Sequence, residues 1–105
     1  VVAGVNTIAA HGHTPGHCAF VVGGKLLAAC DTSNHPALFV SNPSWQAIFD
    51  MDGGAAETTR RRLLDMAVTD KMQVAFYHAP FPATGTVAKD GAGYRFLPTQ
   101  WTSAV

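Results

Sequence analysis

The sequence predicts an α/β fold in which a mostly antiparallel sheet, built from hairpins, packs on one main helix. Paired turn residues separate short apolar runs at Gly23 and Gly24 and again at residues 90–93. Glycines at such places supply the positive φ that tight hairpin turns require. One longer segment, residues 55–69, carries apolar residues at helical spacing. Two hairpin signals and one helical period therefore predict a sheet covered by a single long helix.

Short apolar runs bounded by glycine, proline or polar residues predict the strands. Residues 1–10 indicate one or two short strands, and residues 72–77 indicate a buried strand that ends before His78. The two hairpins are predicted from residues 18–22 with 25–30 and from residues 86–88 with 94–97.

The main helix is predicted to begin after Asp52, whose side chain suits an N-cap. Its apolar stripe is predicted at spacings of three, four and seven residues, and the run of arginines at 60–62 is predicted to lie mostly on the solvated side. The stripe consists of Ala56, Leu63, Leu64 and Ala67.

Residues 31–52 are predicted to form a long loop with one helical turn around residues 44–49. Loops longer than about 12–15 residues are commonly functional. Trp45 and Phe49 in this loop are predicted to be core residues, since large aromatic side chains are usually buried.

Composition excludes several classes of protein. The chain has 105 residues, which suits one domain, and it is 48% apolar and 13% charged, so it can bury a core. Its formal net charge is zero, which argues against a nucleic-acid or anionic-membrane partner. No apolar run approaches the ~20 residues of a membrane span, and no charged-then-apolar leader opens the sequence. We therefore expect a soluble globular chain, and the sequence does not indicate its compartment.

The first hairpin makes a geometric prediction about possible metal ligands. If its turn comprises residues 23–25, Val22 opposes Leu26 and His17 faces Asp31 at the open end. Directly opposed residues have Cβ atoms about 4.5–5.5 Å apart on one face, so this pair could share a metal site. A two-residue turn would shift the register and weaken the pairing.

The same register places Cys18 opposite Cys30. Two cysteines are too few for a disulfide scaffold, and they lack the CxxC spacing of structural zinc sites. They are either two small buried hydrophobic residues or a cross-strand disulfide.

Several ordered motifs carry a family resemblance. HGHTPGHCAFVV is followed by LLAACD, FDMD, the TRRRLLD helix and YHAPFP. This order resembles the C-terminal half of metallo-β-lactamase-fold hydrolases, in the branch with methyl parathion hydrolase, lactonases and arylesterases. The expected fold is therefore half of an αββα sandwich.

The resemblance implies a site with two divalent metal ions, expected to be zinc, with iron, manganese or cobalt as alternatives. His17 would bind the first ion, Asp31 would bridge both ions and act in catalysis, and His78 would bind the second. His13 matches a histidine that supports the ligands without binding metal. Two further residues are candidates for contact with substrate. They are His35, with a purely structural role as the alternative, and Phe81, with a core position as the alternative.

The chain departs from the family pattern in one respect, because it contains no HxHxDH segment. Residues 1–105 are therefore expected to be the C-terminal portion of a metallo-β-lactamase-like domain, with the HxHxDH half absent. The intact parent is expected to hydrolyse a small-molecule ester, lactone or phosphotriester, and the isolated chain is expected to be inactive. Its expected partner is a second copy or the missing half. The alternatives are a non-catalytic half-domain that acts only by association, and a mononuclear-iron oxidoreductase of the same fold.

Overall fold

A computed structural model describes residues 1–103 and has an α/β fold, with six strands in one mostly antiparallel sheet and one main helix. The strands lie in sequence order across the sheet, β1-β2-β3-β4-β5-β6. The elements are β1 (Val5–Ala9), β2 (Cys18–Val22), β3 (Leu26–Cys30), α1 (Pro36–Phe39), α2 (Gly53–Thr69), β4 (Gln73–Phe76), β5 (Thr84–Asp90) and β6 (Gly93–Pro98).

The first hairpin has the register that the three-residue turn predicts. Val22 pairs with Leu26 and Phe20 pairs with Ala28. Gly23 and Gly24 have φ values of 59° and 68°, the left-handed region that glycine enters without steric cost. The predicted pairing of β2 with β3 is therefore confirmed. It places the beginning of β2 and the end of β3 at the same end of the sheet.

Helix α2 connects β3 to β4, which lie side by side and parallel. The Asp52 carboxylate accepts a hydrogen bond from the Ala55 amide at 2.9 Å, which confirms the predicted N-cap. The predicted apolar stripe is buried, and its residues Leu63, Leu64 and Ala67 share one core cluster with strand residues such as Leu27 and Val74, which are inaccessible to solvent. This contact between helix and sheet forms the core.

The arginine at position 60 corrects the prediction of a solvated helix face. Arg60 is 2% exposed, whereas Arg62 is exposed. Arg60 lies four residues after Ala56 and three before Leu63, so it belongs to the buried stripe. Its guanidinium is buried because backbone carbonyls of the loop before α2 surround it.

The long loop also differs from prediction. The helical turn expected at residues 44–49 does not form, and α1 forms earlier, at Pro36–Phe39. Proline at the first position has the φ that a helix needs, and the His35 ring caps the helix by accepting from the Ala37 amide. Trp45 and Phe49 are 51% and 56% exposed, so the prediction that they belong to the core was wrong.

The sheet face opposite α2 carries apolar side chains with no covering layer among residues 1–103. Cross-strand pairing places Val22, Leu26, Phe20 and Ala28 on this face. Val22 is 40% exposed, and Leu97, which pairs with Thr86 on the same face, is 43% exposed. We call this surface the open sheet face. No helix in the described part of the chain is long and apolar enough to cross a membrane.

The end of α2 leads to a stability prediction. Lys71 follows the C-cap residue Asp70 and has a φ of 51°. The amide of Met72 donates to Ala67 and that of Lys71 to Val68, which is the Schellman pattern that favours glycine at this position. We expect Lys71→Gly to stabilise the chain by about 0.5–1 kcal/mol, because a side chain in the left-handed region is strained.

Urea unfolding of Lys71→Gly and Lys71→Ala checks this prediction. Both variants remove the charge, but only glycine removes the Cβ atom. Equal unfolding midpoints for the two variants would show that the conformation at Lys71 is not strained.

Candidate metal centre

The loop between β1 and β2 is anchored on the beginning of α2. The amides of Asp52 and Met51 donate to the carbonyls of Gly12 and His13 at 2.9 and 3.1 Å. The Thr59 hydroxyl donates to the carbonyl of His11 at 2.7 Å. These three bonds set the position of the His11–His13 backbone relative to the helix.

Glycine is required at position 12 for this contact. A Cβ atom added at Gly12 would lie 2.2 Å from the backbone nitrogen of Ala56, and φ is +134°. A larger residue would push the loop, with its histidines, away from the helix.

His17 is held in one tautomer by two backbone groups. Its Nδ1 lies 2.8 Å from the carbonyl oxygen of Ala10, and its Nε2 lies 3.1 Å from the amide nitrogen of Asp31. A carbonyl can only accept and an amide can only donate, so Nδ1 carries the hydrogen and Nε2 carries the lone pair. A donor bond from Nδ1 to a backbone carbonyl is the usual support of a metal-binding histidine.

Asp31 follows a distorted end of β3. The pairing of β3 with β4 shifts register between Ala28 and Cys30, and Cys30 has a φ of 52°. A non-glycine residue in this region is strained, and such strain is concentrated at functional sites. The distortion accompanies a turn of the chain that points the Asp31 amide toward His17.

The carboxylate of Asp31 lies between two histidines from different loops. Its Oδ1 lies 2.9 Å from Nε2 of His78, and its Oδ2 lies 3.8 Å from Nε2 of His13. The sequence-predicted residues His17, Asp31, His78 and His13 therefore lie together at one end of the sheet. His13, Asp31 and His78 border a cavity of about 540 Å³ that Asn34 and Phe49 also line.

A buried carboxylate that the sequence does not reveal lies behind His13. The Asp50 side chain is 2% exposed, and its Oδ1 lies 3.0 Å from Nδ1 of His13. Its Oδ2 accepts from the Ala47 amide at 3.4 Å and lies 3.7 Å from Nη2 of Arg60. Acidic residues in loops are usually exposed, so only the three-dimensional contacts reveal this one.

Arg60 ties the segment after Asp31 to the loop that carries Asp50. Its guanidinium donates to the carbonyls of Thr32, Pro43 and Trp45 at 2.9, 2.7 and 2.9 Å. Burial lowers the pKa of Arg60 below its ordinary value, and the charge of Asp50 opposes that shift. Arginine nevertheless stays protonated in proteins, so a fixed positive charge faces Asp50.

A second cavity, of about 330 Å³, contains both residues predicted to contact substrate. His35 and Phe81 line it together with Arg95 and Phe96. Nδ1 of His35 accepts from the Ala37 amide, so the ring also has the structural capping role that was its alternative. Phe81 is 74% exposed, so it does not belong to the core.

The cysteines and Tyr77 complete the surroundings of the site. Cys18 and Cys30 are both free, which excludes the cross-strand disulfide in this structure. Cys30 is buried and Cys18 half-buried, as small apolar residues. The pKa of Tyr77, the residue before His78, is raised above its ordinary value, mainly by its interaction with the Cys30 thiol.

Imidazole nitrogens and a carboxylate are donors that suit zinc, iron or manganese, and the tautomer of His17 fits a ligand. Among residues 1–103, however, no group of three or more His, Cys, Asp or Glu side chains is arranged to hold one ion. The donors instead contact one another: the Asp31 amide donates to Nε2 of His17, and the Asp31 carboxylate contacts Nε2 of His78. The donor chemistry therefore fits a metal ion, whereas the arrangement in this chain is not a complete site.

Comparisons with known proteins find similarity in structure only. No family model matches the chain, and no curated protein matches it either. Among solved structures, it is similar to AidC, a dizinc quorum-quenching lactonase in complex with the product N-hexnoyl-L-homoserine, with a TM-score of 0.90 and 23% identity over 98% of this chain. The hydrolase AbOPH of the β-lactamase superfamily gives a TM-score of 0.86 and 24% identity over 97% of this chain.

A probable metal-dependent hydrolase from Staphylococcus aureus gives a TM-score of 0.73 and 20% identity over 95% of this chain. The chain spans only 36%, 36% and 38% of the lengths of these three proteins, in the same order. Identities of 20–24% establish the fold alone. The described residues therefore have part of the fold of these proteins, the metallo-β-lactamase fold.

Proposed function

We propose that this chain supplies part of a dinuclear metal site in a hydrolase that cleaves an ester, lactone or organophosphate bond. His17 and His78 are the proposed ligands of one ion each, and Asp31 is the proposed ligand of both. The observation that carries the proposal is that these three residues meet at one end of the sheet although they come from three separate segments. The structural similarity to a dizinc lactonase supports it.

Each residue has a definite task in this proposal. His17 carries its lone pair on Nε2, because Nδ1 donates to Ala10. That lone pair accepts from the Asp31 amide in this structure, and we propose that a metal ion takes the place of this donor. Asp31 has its two oxygens directed toward different histidines, an arrangement that suits a carboxylate between two ions and lets it orient a nucleophilic water. Two divalent ions would lower the pKa of a bound water and polarise the scissile carbonyl or phosphoryl oxygen, and zinc is the proposed metal.

The remaining ligands are proposed to come from a half-domain with an HxHxDH segment, so that residues 1–105 form the C-terminal portion of the domain. The open sheet face supports this arrangement, because large apolar patches on a protein surface usually mark an interaction site. A second copy of the chain on the same face is the alternative occupant.

The substrate is proposed to be a small molecule with an apolar portion. The cavity that His35 and Phe81 line supports this, because its other walls include Pro36, Pro80 and Phe96. The loop His78–Phe81 connects it in sequence to the proposed metal ligand. We propose that Phe81 contacts the apolar portion of the substrate and that His35 borders it.

The first test is to sequence the encoding gene upstream of residue 1, where an HxHxDH segment is expected. The longer polypeptide is then expected to bind two zinc ions and to hydrolyse members of an ester, lactone and phosphotriester panel. Residues 1–105 alone are expected to show no turnover and, by light scattering, to form a dimer. A gene without HxHxDH, or two-metal binding with turnover by residues 1–105 alone, would contradict the proposal of a shared site.

The ligand assignment is tested by His78→Ala in the longer polypeptide, with His11→Ala as the matched control, since the His11 side chain is exposed and outside the cluster. Loss of a direct ligand is expected to weaken zinc binding by more than the 10–100-fold that loss of an outer partner costs. The control is expected to bind zinc as the unaltered protein does. Equal zinc affinity of the two variants would reject His78 as a ligand, and tight binding of a single iron without hydrolysis would favour the oxidoreductase alternative.

A further inference from the structure

The cavity of about 330 Å³ that His35 and Phe81 line has mostly apolar and rigid walls. Its volume is at the small end of the about 300–1,000 Å³ that is usual for small-molecule pockets. Proline has a fixed φ, so walls built from proline lose little conformational entropy when a ligand binds. The large apolar wall residues are Pro36, Pro80, Pro82, Pro98, Phe81 and Phe96.

Contacts with the rest of the fold hold these walls in place. The Tyr94 amide donates to the carbonyl of Val40 at 3.0 Å, which ties the beginning of β6 to the end of α1. The Phe96 ring lies edge-on to the buried Phe76, with centroids 5.1 Å apart. One wall of the cavity is therefore anchored on the core.

The polar side chains that line the cavity can all donate hydrogen bonds. They belong to His35, Ser41 and Arg95. Nδ1 of His35 accepts from the Ala37 amide at 3.2 Å, so the hydrogen of the neutral ring is on Nε2, which is a donor. Arginine can only donate, and a serine hydroxyl can donate. No Asp or Glu among the described residues lines the cavity, so its polar groups are complementary to an anion.

Arg95 differs from the other three arginines of the chain. Arg60 and Arg61 contact carboxylates, and Arg62 donates to a backbone carbonyl. Among residues 1–103, no carboxylate contacts the guanidinium of Arg95. A guanidinium binds a carboxylate through two parallel hydrogen bonds, so Arg95 can accept a carboxylate from a ligand in this cavity.

We propose that the cavity binds an apolar molecule that carries a carboxylate, with the carboxylate at Arg95 and the apolar body against the proline and phenylalanine walls. His35 and Ser41 supply further donors. The inference rests on the proposed function in one respect, because it assigns this carboxylate to the substrate, at the end of the apolar portion that Phe81 contacts. The preferred substrates are therefore esters, lactones or phosphotriesters with a separate ionised carboxylate.

A titration of residues 1–105 without metal tests the cavity by NMR, following the amide shifts of Ala37 and Phe96. The probes are 3-phenylpropionate and 3-phenylpropanamide, which have nearly the same shape and differ in charge. The carboxylate is expected to bind about 10-fold more tightly or better, because hydrogen bonds to charged groups are stronger than those between neutral groups. Equal affinities, or no binding of either probe, would overturn the proposal.

Arg95→Met tests the role of the guanidinium, and Arg62→Met is the matched control, an exposed arginine outside the cavity. Arg95→Met is expected to lower the affinity for 3-phenylpropionate to that for the carboxamide, whereas Arg62→Met keeps the difference. Arg95→Gln, which removes the charge and keeps a polar side chain, gives the same readout if the methionine variant does not fold. A preference for the carboxylate that survives in the Arg95 variants would overturn the proposal.

The longer polypeptide tests whether the carboxylate belongs to the substrate or to another acid. Nitrophenyl esters are compared whose acyl chains, of varied length, end in a carboxylate or in a carboxamide. The best carboxylate ester is expected to have a KM about 10-fold lower than its carboxamide partner with little change in kcat, as for binding energy that is equal in ground and transition state. Arg95→Met is expected to abolish this difference.

Equal KM values, together with tight binding of 3-phenylpropionate, would overturn the assignment of the carboxylate to the substrate. If the longer polypeptide hydrolyses no ester, lactone or phosphotriester, the proposed function fails. The metal-free titration still decides in that case whether the cavity binds a carboxylate.

Discussion

Arg60→Met is expected to destabilise the chain by about 3–5 kcal/mol, because it leaves Asp50 as a buried charge without its cationic partner. Three backbone carbonyls also lose their donors. Methionine fills much of the volume of the arginine stem. The expected loss of stability therefore comes from the lost charge and hydrogen bonds more than from a cavity. Small domains have only about 5–15 kcal/mol of stability in total, so much of the folded population would be lost.

Urea unfolding measures this effect, and Arg62→Met is the matched control, because Arg62 occupies the same helix but is exposed. The control is expected to change stability by no more than about 0.5 kcal/mol. Similar losses for the two variants would mean that the buried network around Arg60 contributes little.

Gly12→Ala is expected to cost about 3 kcal/mol or more, because the new Cβ atom would lie 2.2 Å from the Ala56 nitrogen and φ is +134°. Both the helix backbone and the loop would have to move, and the bonds from Asp52 and Met51 to this loop would weaken. His13 is the next residue, so its contact with Asp50 would change as well.

The comparison for Gly12→Ala is Gly16→Ala in the same loop, where nothing lies within 4 Å of the added atom. Unfolding midpoints and the ring ¹⁵N shifts of His13 are measured for both variants. Only Gly12→Ala is expected to change them. A midpoint for Gly12→Ala close to that of Gly16→Ala would show that the loop adapts easily.

The parts of the fold that local sequence determines could be predicted. The register of β2 with β3 follows from the turn at Gly23 and Gly24. The paired residues end at Phe20 and Ala28, and the contact of the His17 ring with the Asp31 amide lies beyond them, after the distortion at Cys30. The cap at Asp52 and the apolar stripe of α2 follow from the helical period. In each case the residues that decide the geometry lie close together in the chain.

The buried polar network could not be predicted in the same way. Arg60 stands at a stripe position, so helical spacing contained the signal, but a run of three arginines favoured a solvated face. Asp50 carries no such signal, because its burial depends on Arg60 and on His13, 37 residues away in the chain. The capping bond of His35, which favours α1 over the expected turn, likewise involves a ring that rarely caps helices.

The strand order of the sheet determines the order in which the residues of the candidate centre come together during folding. Asp31 and His17 are 14 residues apart in the chain, whereas Asp31 and His78 are 47 apart. Closing a longer loop costs more entropy, and parallel pairing through a helix is slower than hairpin formation. We expect His17 and Asp31 to meet as soon as the first hairpin forms, on a microsecond scale of about 1–10 μs. His78 then arrives with β4, so a nascent chain exposes a two-residue site before the third residue closes it.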